Sequence, residues 1–196
     1  SAGIADNISQ VLGRKGAPPK AKPGSGGLVV QQENSMFQFI KDVLSRLESD
    51  PAITTRDAAM AGLRDLGLGD FGAVLWASPL AGYPKLAQLL PPMSPVEVQR
   101  KWTGATEERL LIQSLGFVRS VSENFTAITG QSLQGRAILD YGCGYARFLR
   151  LFSYYTANLW GVDAWESSLE ESRRAGFADR VKKIDAKPAG LPLDRP

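Results

Sequence analysis

The 196-residue chain contains no histidine. That absence excludes Ser-His-Asp and Cys-His catalysis, histidine metal sites and histidine general bases together. A single cysteine, Cys143, excludes an internal disulfide framework and a cysteine zinc cluster, and points to a reducing compartment. No apolar run approaches the roughly 20 residues needed to span a bilayer. The N-terminus lacks the basic region and continuous apolar stretch of a secretory signal. Charge of one sign is scarce as well. The 23 Lys+Arg against 20 Asp+Glu leave a net +3, too thin for a nucleic-acid partner without a clustered basic face. Hydrophobic residues, at 43%, are present at the level of a globular protein. The expectation is a soluble, cytoplasmic protein with no membrane and no specific nucleic-acid partner.

Residues 1–35 differ from the rest. The stretch 13–27 is crowded with Gly, Pro and Lys, buries little apolar area and reads as a flexible arm or tether. Ser1 is not a natural start, so the chain is expected to be processed, excised or cloned. Residues 36–130 read as a helical region. Phe37, Ile40, Val43, Leu44 and Leu47 make one apolar face, and Asp50-Pro51 stops that helix. A second helix starts at Thr54 or Thr55, carries Ala59, Met60 and Leu63, and ends in Gly67-Leu68-Gly69. Residues 70–93, broken by Pro79, Pro84, Pro91 and Pro92, are expected to hold only short helical turns. Ser94-Pro95-Val96-Glu97 reads as a helix start with Ser94 as N-cap. That helix is interrupted at Thr103-Gly104, and a longer one over 105–129 buries Leu111, Leu115, Val118 and Phe125 and ends at Gly130.

Over residues 131–196 the period switches. Three short apolar runs ending in Asp140, Asp163 and Asp185 alternate with two helical segments, through Phe148–Phe152 and over 166–175. This βαβαβ order predicts an α/β fold with a parallel sheet and right-handed crossovers. Ligands of such sheets bind outside the carboxyl ends of the strands, so the three aspartates are expected to border one crevice. Between the first strand and its helix lies Asp140-Tyr141-Gly142-Cys143-Gly144-Tyr145-Ala146. Its glycines permit a tight turn and let a ligand approach bare backbone. Asp163 follows about 20 residues later, where an acidic residue would accept hydrogen bonds from ribose.

The dinucleotide fingerprint needs a third glycine where this chain has Arg147, and Asp140 would set negative charge beside a pyrophosphate. The same carboxylate suits an ammonium or sulfonium ligand. The residues therefore point to a cationic adenosine ligand.

Ile138-Leu139-Asp140-Tyr141-Gly142-Cys143-Gly144-Tyr145-Ala146-Arg147 resembles motif I of the class I S-adenosylmethionine-dependent methyltransferases. Gly161-Val162-Asp163 resembles their second-strand motif, and Ile184-Asp185-Ala186 with Leu191-Pro192 resembles their adenine-contacting segment. The resemblance covers residues 130–196, with Ala146 in place of the family's usual third glycine. It implies a Rossmann-like sheet, S-adenosyl-L-methionine as cofactor and methyl transfer to a small or medium-sized acceptor. Carried over by position, Asp140 and the backbone at Gly142 and Gly144 face the methionine part, and Cys143 and Tyr145 complete the loop. Asp163 takes the ribose, Ala164 and Trp165 lie beside the adenine, and Asp185 with Ala186 reaches the adenine amino group. Trp102 either folds over the cofactor, as aromatic residues do in the family, or anchors the helical core.

The family's sheet has seven strands and this sequence stops where the fourth would begin, so the resemblance implies a fragment or a second chain that completes the sheet. The first strand would then be an open edge. The bland readings are that the aspartates are caps or turn residues, that Cys143 is a small turn residue, since it has no histidine to activate it, and that Tyr145 is packing. A non-catalytic methyltransferase-like interaction module and an NAD(P)-dependent oxidoreductase are the alternative functions. The sequence nominates no catalytic base and no metal ligand.

Overall fold

The computed structural model describes residues 27–190. The described chain is α/β, with eight α-helices and a small three-stranded parallel sheet. Most of the expected arm, residues 1–26, lies outside the described residues, as do Leu191 and Pro192.

Helix α1 runs Gly27–Ser49, so the helical region begins within the segment 1–35 read as arm. Once the turns carrying Ile40, Val43, Leu44 and Leu47 are packed, extending the helix toward its N-terminus adds one hydrogen bond per residue and needs no new nucleus. Helix α2, Arg56–Gly62, is capped as expected: the Thr55 side chain accepts the Ala58 N–H. A 3₁₀ turn over Leu63–Asp65 continues it.

Two expectations are corrected here. Residues 70–93 were expected to hold only short turns, yet Leu68–Trp76 forms the nine-residue helix α3 and Pro84–Leu89 forms α4. Every residue from Phe71 to Trp76 is buried, so α3 is held from all sides by packing that outweighs its two glycines. Gly72 makes that packing close, since a Cβ there would lie 3.0 Å from the side chains of both Leu115 and Leu151. Helix α4 receives its N-terminal cap from afar: the Glu48 carboxylate accepts the N–H groups of Lys85 and Leu86 at 2.8 and 2.9 Å. Helix α5 runs Val96–Thr103, and its N-cap is Pro95 without a side-chain cap, not Ser94. The Ser94 hydroxyl is buried without a partner, and the Ser94 carbonyl is taken by Gln99 Nε2 at 2.7 Å. Gly104, left-handed at φ 71°, ends α5, and Gly130 at φ 66° ends α6, Glu107–Thr129.

The sheet follows the expected order. Strand β1, Ile138–Tyr141, is followed by α7, Arg147–Phe152; β2, Leu159–Asp163, by α8, Glu166–Ser172, and a π turn over Arg173–Phe177; β3 is Val181–Lys183. All pairings are parallel in the order β1-β2-β3, with Asp140 opposite Gly161 and Gly161 opposite Val181. Gly161 lies under the glycine loop and α7, since a Cβ on it would be 2.9 Å from Cys143 and from Leu149. On β1, Ile138 and Gly142 donate their amides toward β2, which leaves the backbone of Leu139 and Tyr141 on an edge that no other strand pairs among the described residues. The side chains of Leu139 and Tyr141 are exposed.

The helical layer is fastened to the sheet by charged groups. Arg150, on α7, is fully buried and its guanidinium donates to the carbonyls of Leu75, Pro91 and Pro92. Burial pulls its pKa down to about 10, which still leaves it charged at neutral pH. Arg56 grips the Asp179 carboxylate through two 2.9 Å bonds, and Arg180 pairs with Asp57. Among the described residues no helix is long and apolar enough to cross a membrane.

Candidate functional site

A cleft of about 240 Å³ opens at the carboxyl ends of β1 and β2. Its floor is the turn from Gly142 to Tyr145, which the chain holds from several directions. The amides of Gly142 and Cys143 both donate to the Val162 carbonyl, at 2.8 and 3.1 Å. The Gly144 amide donates to Asp163 Oδ2 at 3.0 Å, and the Gly144 carbonyl accepts the Ser172 hydroxyl at 2.7 Å. Ala146 closes the turn by donating to the Cys143 carbonyl. Gly142, Gly144 and Ala146 all adopt left-handed backbone, at φ 77°, 57° and 62°. Two of these positions need glycine for that reason, and alanine tolerates the third at some cost in strain.

This geometry decides what the loop can offer. A phosphate-binding loop presents free N–H groups to its ligand. Here the amides at 142, 143, 144 and 146 are all bonded within the protein, so those four positions offer close approach without anion capture.

Asp163, almost fully buried, lines the cleft with both carboxylate oxygens in use: Oδ2 takes the Gly144 amide and Oδ1 the Trp165 amide at 2.9 Å. Each oxygen keeps a further lone pair. Asp140 behaves differently. Its Oδ2 is buried with no hydrogen-bond partner. Burial pushes its pKa up to about 6, with the Arg147 guanidinium drawing it down and the Asp163 carboxylate pushing it up. An orphaned carboxylate of this kind lacks a cation or a donor.

Trp102 settles over the loop, with its ring 3.7 Å from where a Cβ on Gly144 would stand and edge-on to Tyr145 at 5.9 Å. Tyr145 is itself buried, and its hydroxyl has no partner. Trp165, 71% exposed, stands on the other wall. Cys143 is buried against Gly161, and burial together with Asp140 and Asp163 pushes its thiol up to about 12; it is a packing residue whose backbone faces the cleft.

The structure thus brings together Trp102, Gly142, Cys143, Gly144, Tyr145, Asp163 and Trp165 as lining; Asp140, at the strand end before the loop, is not among the lining residues, and its Oδ2 is buried. The expected single crevice bordered by three aspartates is not what it shows. Asp185 and Ala186 lie exposed beyond β3, and neither they nor Ala164 line the cleft. The chain turns away after Ile184, whose amide donates to the Asp163 carbonyl. Thr103, Arg147, Phe148 and Ser168 also line it and were not among the sequence candidates. Ser168 stands one helical turn beyond Trp165, a spacing that could have suggested it.

Comparisons with models of known protein families, with curated proteins and with solved structures found no match.

Proposed function

We propose that the chain is a Rossmann-like, S-adenosylmethionine-dependent methyltransferase whose cofactor occupies the cleft above Gly144, acting on a small or medium-sized acceptor. The carrying observation is the orphaned Asp140 Oδ2 at the start of a glycine loop whose amides at 142, 143, 144 and 146 are already engaged. That pairing suits a cationic ligand and disfavours a pyrophosphate. The cofactor supplies an electrophilic methyl carbon on a sulfonium, a displacement in which orientation provides much of the rate. Asp140 holds the ligand's ammonium. Asp163 uses its remaining lone pairs for ribose hydroxyls, Trp165 offers a stacking face to the adenine, and Trp102 excludes water from the loop.

The test is a calorimetric titration of the chain with S-adenosylhomocysteine, with NAD as control. Micromolar binding of the first and none of the second supports the reading; binding of NAD alone overturns it in favour of an oxidoreductase. Silence from both overturns it in favour of the non-catalytic interaction module, for which the open β1 edge with exposed Leu139 and Tyr141 speaks.

A further inference from the structure

Helix α5 meets the glycine turn through Trp102, and it is loosely seated. Its one fully buried side chain is polar: Gln99 is 3% exposed, while Val98 and Trp102 are only partly buried. Gln99 Nε2 donates to the Ser94 carbonyl at 2.7 Å, and its Oε1 accepts the Glu107 N–H at 2.8 Å. One side-chain amide thus bridges the segment 94–107 from end to end, its donor and its acceptor each facing the complementary group. Holding this pose has costs. Glu107 adopts left-handed backbone at φ 48°, a region that glycine enters without steric penalty and glutamate does not. The Ser94 hydroxyl is buried without a partner, and so is that of Tyr145, which Trp102 meets edge-on. A segment with few buried apolar groups, strained backbone and unsatisfied hydroxyls belongs to the part of a structure that opens at low free energy.

We propose that Gln99 is a positioning residue, a latch that holds α5 closed so that Trp102 covers the glycine turn. Trp102 follows Gln99 by about one helical turn, so it moves with the helix that Gln99 fixes. Gly104, left-handed at φ 71°, and Glu107 flank the junction between α5 and α6 and serve as the hinge. When both Gln99 bonds break, α5 swings away from the turn and water reaches the Ser94 and Tyr145 hydroxyls. Glu107 then relaxes out of the left-handed region, and the cleft stands open to its ligand. The latch rests on these contacts and not on which ligand the cleft takes.

Hydrogen–deuterium exchange on the whole chain, with and without S-adenosylhomocysteine, tests this. Without it, the amides of 98–103 should exchange faster than those of β2, the central strand. Gln99→Met, close to glutamine in length but without either polar group, should speed exchange over 98–103 at least about tenfold and leave β2 unchanged. Glu107→Gly should slow it about fivefold or more relative to Glu107→Ala, since both lose the carboxylate and only glycine removes the strain. That pair decides the matter if the methionine variant does not fold. Acceleration spread equally over 98–103 and β2 marks a general structural role and overturns the latch, as does a methionine variant that exchanges like the natural chain. Equal rates in the two Glu107 variants overturn the hinge. Bound S-adenosylhomocysteine should slow exchange over 94–107 in the natural chain; binding without that effect overturns the coupling of latch to cleft. If it does not bind, the cofactor reading fails, and the exchange pattern of the variants alone upholds or overturns the latch.

Discussion

The carboxylate of Asp163 accepts the backbone N–H of Gly144 at 3.0 Å, so the end of β2 holds the glycine turn that follows β1. Its other oxygen holds Trp165. One side chain therefore sets both the floor and one wall of the cleft.

Asp163→Ala should have two effects. Removing the acceptor from two amides in a buried position should cost about 1–3 kcal/mol of stability, read by denaturant unfolding. Affinity for S-adenosylhomocysteine should fall at least about tenfold. Asp163→Asn keeps one acceptor oxygen and should lose less of both. A folded alanine variant with unchanged affinity would remove Asp163 from the ribose role.

The Asp140 carboxyl stands at about 6 in the folded chain against an ordinary 3.8, so the folded state binds the extra proton. This group's contribution is therefore most favourable at pH below 3.8, declines as pH rises toward 6, and is level above. Its size is on the order of 3 kcal/mol. Asp140→Asn, which does not ionise, should gain stability over the natural chain most at pH 8 and least at pH 4 in urea unfolding. Ligand affinity runs the other way: S-adenosylhomocysteine should bind less tightly as pH falls through 6. A stability difference that does not vary with pH would show that the carboxylate is not poised in this way.

Gly161→Ala places a methyl 2.9 Å from the Cys143 side chain and from Leu149. Cys143 is held by the loop backbone and Leu149 by α7, so neither side chain moves away freely. The substitution should cost about 1–3 kcal/mol and shift the loop, which thermal unfolding and a weaker ligand affinity would both register.

The Cys143 thiol is buried and pushed up to about 12. Alkylation by iodoacetamide at pH 8 should be slow in the folded chain and fast in urea, because only an opened loop yields thiolate. Prompt labelling of the folded chain would mean that the loop opens readily.

The sheet was legible because its signals are local. Three apolar runs, each followed by an aspartate, and glycines at the first turn fix strand, turn and helix within a few residues of one another. Helix α6 was legible through Leu111, Leu115 and Val118, which share one face at helical spacing and are buried. Helix α3 was not, because nearby Pro79 and its own glycines speak against a helix, while the burial that stabilises it comes from α6 and α7. Ser94 has the residue type of a cap, but the chain enters α5 one residue later and leaves its hydroxyl aside. Asp140 and Asp185 occupy equivalent places in the sequence pattern. Only the first is enclosed, because α7 and the glycine turn cover the end of β1 whereas the segment after β3 runs into solvent.

The closed hydrogen bonding of the glycine turn has a bearing on competition among adenosine compounds. ATP, ADP and NAD share the adenine and ribose of the proposed cofactor, and differ from it in the phosphates they must desolvate. The amides at 142, 143, 144 and 146 are already used within the turn and give those phosphates no compensation for lost water. On the proposed reading the backbone thereby withholds donors from them, and Arg147 in the wall is the position where a substitution would bear on how phosphates are received.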